Sequence, residues 1–128
     1  MQSDPVAEIF KAVGGEAPFL KLVDEFYARV EKDITLRPLY PKDLTEPKHH
    51  LALFLIQRSG GRTTYSDQRG HPRMRQRHMP FKIGTRERDA WLHCMFAAID
   101  QVPEFAPHRE TLRFYFMDFA TFLMNQPS

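Results

Sequence analysis

Apolar residues recur every three or four positions along most of this chain and almost nowhere alternate one by one, which confines it to helices packed on helices. The clearest instance is PFLKLVDEFYARVEKD. There Phe19, Leu20, Val23, Phe26, Tyr27 and Val30 share a face, and Pro18 stands early in the helix, where a missing N–H is harmless. Ahead of it, Asp4 caps and Pro5 opens a short helix that turns Val6, Ile9, Phe10 and Val13 to one side and stops at Gly14-Gly15. The following ITLRPLYPKDLTEP holds three prolines, too many for a long helix, so it predicts short turns that carry Tyr40 against whatever the helices enclose.

A third helix begins where Thr45 or Glu46 leads into Pro47, shows Leu51, Phe54 and Leu55 as its apolar stripe, and ends at Gly60-Gly61. Another, capped by Thr85, buries Ala90, Trp91, Cys94, Met95, Ala98, Ile99 and Val102 before Pro103. The last runs from about Pro107 to Met124 and turns Leu112, Tyr115, Phe116, Phe119, Ala120 and Leu123 inward. Between the third helix and the Thr85 helix, residues 62–84 lose the period, so any helix there is a turn or two. A linker this long inside a compact domain is usually functional, and its polar side chains need either solvent or a ligand. The expectation is an all-α chain of about five helices and one ordered loop, a single domain over 1–128 with flexible tails at about 1–4 and 125–128.

Composition narrows the class. Eleven Phe, four Tyr and one Trp in 128 residues demand a bulky core and argue against disorder. A net charge of +2 gives no general pull toward nucleic acid or an anionic membrane. A single Cys94 rules out an intramolecular disulfide, MQSDPVAEIF has neither the basic start nor the apolar run of a signal peptide, and no apolar run suits membrane insertion; a soluble, cytoplasmic protein is expected.

No phosphate loop, zinc spacing or nucleophile elbow is present, so the histidines carry the chemical interest. His49 and His50 lie near the solvated start of the third helix, where His50 can reach an anionic group. His93 is rotated about 200° from Trp91 and faces solvent, as does His108. His71, in RGHPR, is a loop residue suited to a backbone hydrogen bond. His78 differs: Met74 stands four before it and Phe81 three after, so one helical turn aims all three at the same core. A lone histidine there is most often a satisfied core residue. Its company changes the weighing, because a cavity lined by Tyr27, Tyr40 and Trp91 holds three hydrogen-bond donors and no obvious carboxylate to receive them.

The motifs AVGG (12–15), EFYARV (25–30), LYP (39–41), GG (60–61), TYSDQRGHPRMRQRHMPF (64–81) and ERDAWLHCM (87–95) together resemble the group II truncated haemoglobins, from about Val6 to Leu123. The loop motif and the tryptophan helix are the specific part. The resemblance implies a truncated globin-like two-over-two helical sandwich around haem b (iron protoporphyrin IX), with the first helix cut down and the proximal helix reduced to a turn. Position by position, it makes His78 the metal ligand and Tyr27, Tyr40 and Trp91 the distal polar residues, with Leu51 and Phe54 as the apolar wall. Phenol and indole donors suit dioxygen that gains negative charge in a dry pocket. Tyr65, His71 and Arg77 resemble residues near the haem propionates, and His50 is a further candidate there. Two departures stand out. Pro47 falls in the first turn of the distal helix, where the family usually places a small or polar residue, and Arg58-Ser59 stand where relatives often carry aromatics. No histidine occupies an obvious distal position.

The expected function is reversible binding of dioxygen, carbon monoxide, nitric oxide or another diatomic ligand, in oxygen transport or in nitric oxide dioxygenase or peroxidase-like redox chemistry. A separate reductase is expected for the redox uses, as a flavin domain is lacking, and the protein is a monomer or homodimer. The rival from another class is an all-α nucleic-acid-binding module using the arginines of 58–88. Its signal is weak: the alternate spacing in RMRQR splays charge around a helix instead of forming a stripe.

Overall fold

The computed structural model describes residues 3–127; the outermost parts of the two expected tails, residues 1–2 and 128, lie outside the described residues. All regular structure among them is helical: α1 (Ile9–Ala12), α2 (Ala17–Val30), α3 (Thr45–Arg58), α4 (Thr64–Arg69), α5 (Met74–His78), α6 (Thr85–Asp100) and α7 (Arg109–Phe122). Three-ten turns cover Val6–Glu8, Arg37–Leu39 and Pro103–His108. None of these helices is long and apolar enough to cross a membrane.

Four long helices make the sandwich. α2 packs against α3 and α6, and α6 packs in turn against α7, giving two helices over two. Burial of Phe19, Phe26 and Phe116 follows from the 3.6-residue period of α2 and α7, and Phe105 of the Pro103–His108 turn meets Phe19 edge-on at 5.1 Å. The short α1 lies over the end of α3, where the Phe10 N–H donates to the Ser59 carbonyl at 3.0 Å. Gly60 makes this approach feasible. Its φ is +103°, and a side chain there would land on the Ala7 carbonyl oxygen.

Several local expectations need correction. Leu20 is 49 % exposed, and the buried face of α2 takes Leu22 in its place. Helix α6 is capped at Gly84, whose N–H donates to the Glu87 carboxylate at 2.8 Å, so Thr85 is already the first helical residue. The last helix starts later than expected, because Pro103–His108 is three-ten and α7 opens only at Arg109. His108 is half-buried there. The aperiodic 62–84 segment holds helix of only a turn or two, as expected, in α4 and α5, whose apolar positions are too few to register as a period. Finally, Asn125 and Gln126 do not form a free tail, since both of their backbone N–H groups donate to the Ile83 carbonyl, at 2.9 and 3.2 Å.

Candidate functional site

The long helices do not close on one another at one side of the molecule. They leave a cavity of about 330 Å³, of the size that holds a small organic group, roofed by α4, α5 and the loop after it. Its wall is mostly apolar. Phe54 from α3 meets Tyr65 edge-on at 5.6 Å and stacks on Phe119 of α7 at 5.6 Å. Leu51 and Pro47, from the same helix, line the cavity as well.

One polar cluster sits at the junction of α2, the Arg37–Leu39 turn and α6. The Tyr27 and Tyr40 rings meet edge-on at 5.5 Å, and Trp91 is wedged against Phe26 at 5.2 Å and Phe116 at 5.5 Å. Burial pushes the Tyr40 hydroxyl up to about 12, opposed by Trp91 and Tyr27 acting on it as hydrogen-bond donors. Burial, with Tyr40 beside it, raises the Tyr27 hydroxyl as well. Both phenols are therefore protonated donors at neutral pH. Trp91 is half-buried and lines the cavity.

His78 closes α5 and faces the same cavity. Its Nδ1 lies 2.6 Å from the Met74 carbonyl oxygen, which makes Nδ1 the protonated nitrogen and leaves the Nε2 lone pair free of any hydrogen bond among the described residues. Burial holds its pKa below the usual 6.5, against the Met74 carbonyl, so the ring is neutral at pH 7.

At the rim the groups are cationic. Arg69 contacts the His50 Nδ1, and the Arg69 and Arg77 guanidinium groups lie 5.7 and 6.0 Å from the centre of the buried Tyr65 ring. Burial and the nearby Arg69 charge lower the His50 pKa from 6.5. Arg77 is partly committed to structure, donating from Nε to the Pro72 carbonyl at 2.6 Å and from Nη2 to the Arg69 carbonyl at 2.9 Å.

Of the residues singled out in the sequence, His78, Tyr27, Tyr40, Trp91, Leu51, Phe54, Tyr65, Arg77 and His50 line this one cavity. His71 is not brought to it. The ring is exposed, and its Nδ1 accepts from the Arg73 N–H at 3.1 Å, serving a residue held at φ +45° as the cap of α5. Arg69 is the rim residue that sequence reasoning missed. It follows Tyr65 by four, a spacing that puts both on one face once α4 is known to be a helix. Nor do the arginines of 58–88 form one stripe: Arg69 and Arg77 turn to Tyr65, Arg75 to Phe122, and Arg88 to Asp89 and Thr121.

The donor set selects what can fill the cavity. Among the described residues there is no group of three His, Cys, Asp or Glu side chains able to hold a metal ion. A lone imidazole cannot retain a bare ion, so a metal at Nε2 must bring most of its own ligands. A flat apolar macrocycle carrying anionic groups toward Arg69 and His50 fits these surroundings.

Comparison with known proteins points the same way. The sequence model of the bacterial-like globin family matches residues 8–125. The group 2 truncated haemoglobin YjbI of Bacillus subtilis is 44% identical over 93 residues, which is 73% of this chain and 70% of that protein. The crystal structure of the haemoglobin from the thermophilic phototrophic bacterium Chloroflexus aurantiacus superposes with a TM-score of 0.89 at 51% identity, covering 93% of this chain and 98% of that one. The group II truncated haemoglobin of Bacillus anthracis gives a TM-score of 0.89 at 38% identity, over 94% and 98% of the two chains.

Proposed function

The chain belongs to the group II truncated haemoglobins and so binds small diatomic ligands through haem b, and from that premise we propose which residues do the work. The observation that carries the proposal is the His78 ring, tied at Nδ1 to Met74 and free at Nε2 within an apolar cavity. His78 would hold the haem iron through Nε2, and the haem would supply the iron chemistry that takes up a diatomic molecule.

The chain's own residues set the surroundings of that position. Tyr27, Tyr40 and Trp91 form a connected donor cluster, and a donor already fixed by packing loses little entropy when a partly negative ligand accepts from it. Leu51, Phe54 and Pro47 keep water out, which strengthens those hydrogen bonds. Arg69, His50, Tyr65 and the free part of Arg77 receive the two propionates at the rim. One domain holds the whole site.

The physiological use we assign is redox chemistry on nitric oxide or peroxide. Nitric oxide, dioxygen and one electron yield nitrate, and a separate reductase provides the electron. Support comes from the three clustered donors, which favour a ligand carrying negative charge over a neutral one.

Two measurements test this. The purified holoprotein should show the visible spectrum of a haem with one histidine ligand, and His78→Ala should lose its iron–histidine vibration. Normal haem retention with an unchanged vibration in that variant refutes the ligand assignment. With an artificial reductant, nitric oxide consumption should require dioxygen and produce nitrate; no consumption above free haem would remove the redox use.

A further inference from the structure

Helix α5 has five residues, too short to be stable alone, and no other helix packs extensively against it. Something else must set where His78 stands. Its front end is held by Arg77, through the two bonds to the Pro72 and Arg69 carbonyls. Its rear end is held by Asn125, a residue 47 positions away that has left the end of α7.

The Asn125 carboxamide is fully used. Nδ2 donates to the Phe81 carbonyl at 2.7 Å and to the His78 carbonyl at 3.2 Å, while Oδ1 accepts from the Ile83 N–H at 2.9 Å. The Asn125 backbone N–H donates to the Ile83 carbonyl, also at 2.9 Å. One residue thus spans the whole exit from α5, and it grips the His78 peptide itself. Two carbonyls facing Nδ2 and an N–H facing Oδ1 admit only one orientation of the amide. Without Asn125, the His78 carbonyl keeps only the local bond from the Phe81 N–H, at 3.0 Å, which moves with the loop.

We propose that Asn125 is a positioning residue for His78, anchoring its peptide to the end of α7 so that Nε2 is held at a set distance and tilt from the iron. This rests on the reading of His78 as the axial ligand. A neutral imidazole tied at Nδ1 to its own helix rides on α5 as a rigid unit, so any play in the α5 backbone passes directly to the metal bond. Leu123, two residues before Asn125, lines the same cavity.

The test uses the ferrous, ligand-free holoprotein and reads the iron–histidine stretching band, which a general loss of stability does not move. Asn125→Ala and Asn125→Asp should shift or broaden that band and speed haem transfer to an excess of an apo-globin about ten-fold, the effect of losing one or two hydrogen bonds. Asp matches Asn in size but turns an acceptor toward two carbonyls, so it decides the question should the alanine variant fail to fold. Asn125→Gln, which keeps both donors on a longer arm, should recover part of the band position. Gln126→Ala is the control, because its side chain bonds only the Asn125 Oδ1 and leaves the 78–83 carbonyls untouched. A parent-like band and haem-loss rate in both the Ala and Asp variants overturns the positioning role. If His78→Ala also keeps the parent band, the axial-ligand reading has failed instead.

Discussion

The His78 Nδ1 lies 2.6 Å from the Met74 carbonyl oxygen, one helical turn earlier on α5. This bond selects a tautomer before any metal arrives, since a carbonyl can only accept. In the haem-free protein at pH 7, nitrogen–proton NMR correlations should show Nδ1 protonated and Nε2 bare. Protonated Nε2, or a fast exchange of tautomers, would mean that the ring is not preset.

Trp91 packs on Phe26 and Phe116 and lines the cavity beside Tyr40, so packing and hydrogen bonding to a ligand must be separated. Trp91→Phe keeps much of the apolar bulk and deletes the donor. A net loss of about 1–2 kcal/mol should speed oxygen dissociation roughly five- to thirty-fold, with a smaller effect for carbon monoxide, a poorer acceptor. Tyr27 and Tyr40 can rotate to compensate, so the doubles with Tyr→Phe are needed. An oxygen dissociation rate unchanged even when all three are Phe would leave Trp91 as packing.

His50 should titrate below 6.5 in the haem-free protein, because burial first and Arg69 second disfavour its charged form. The folded state then binds fewer protons than the unfolded one between the two pKa values. Stability is therefore unaffected by this group well above pH 6.5 and falls as the pH drops through 6.5 toward the folded value. Arg69→Gln removes the second cause and should raise the NMR midpoint of His50. A midpoint that stays put would show that the Arg69 contact is absent in solution.

Gly60 combines a φ of +103° with a site where any β-carbon meets the Ala7 carbonyl. Gly60→Ala should cost at least about 2 kcal/mol, read as a lowered unfolding midpoint. Gly70, also at positive φ (+78°) but with open space around it, should cost less when changed in the same way. Equal losses at the two sites would mean that the contact with Ala7 contributes nothing.

What the sequence determined by itself was the helical class, the inward faces of the long helices and the set of aromatic donors. A 3.6-residue repeat over fourteen residues, as in α2 and α7, leaves only one face to bury, so Tyr27 and Phe116 could be assigned inward from their neighbours alone. His78 stood out by its spacing from Met74 and Phe81; all three line the cavity, but α5 ends at His78 and Phe81, beyond it, is 43 % exposed and not in the core. Apart from Leu20, which lies within α2 and is 49 % exposed, the failures were at short or terminal elements. Helices of five and six residues contain too few apolar positions to show a period, so 62–84 read as a linker with helix of a turn or two whose bounds could not be placed, and the pairing of Arg69 with Tyr65 was missed. Only the tertiary structure decided that His71 turns away from the cavity to accept from the Arg73 N–H, that Arg69 meets His50, and that Asn125 returns from beyond α7 to hold the peptide of His78. Arg69 and His50 meet side chain to side chain from two different helices, and Asn125 reaches carbonyls and an N–H left over where α5 ends. Which of these groups fall within reach is set by how the long helices pack.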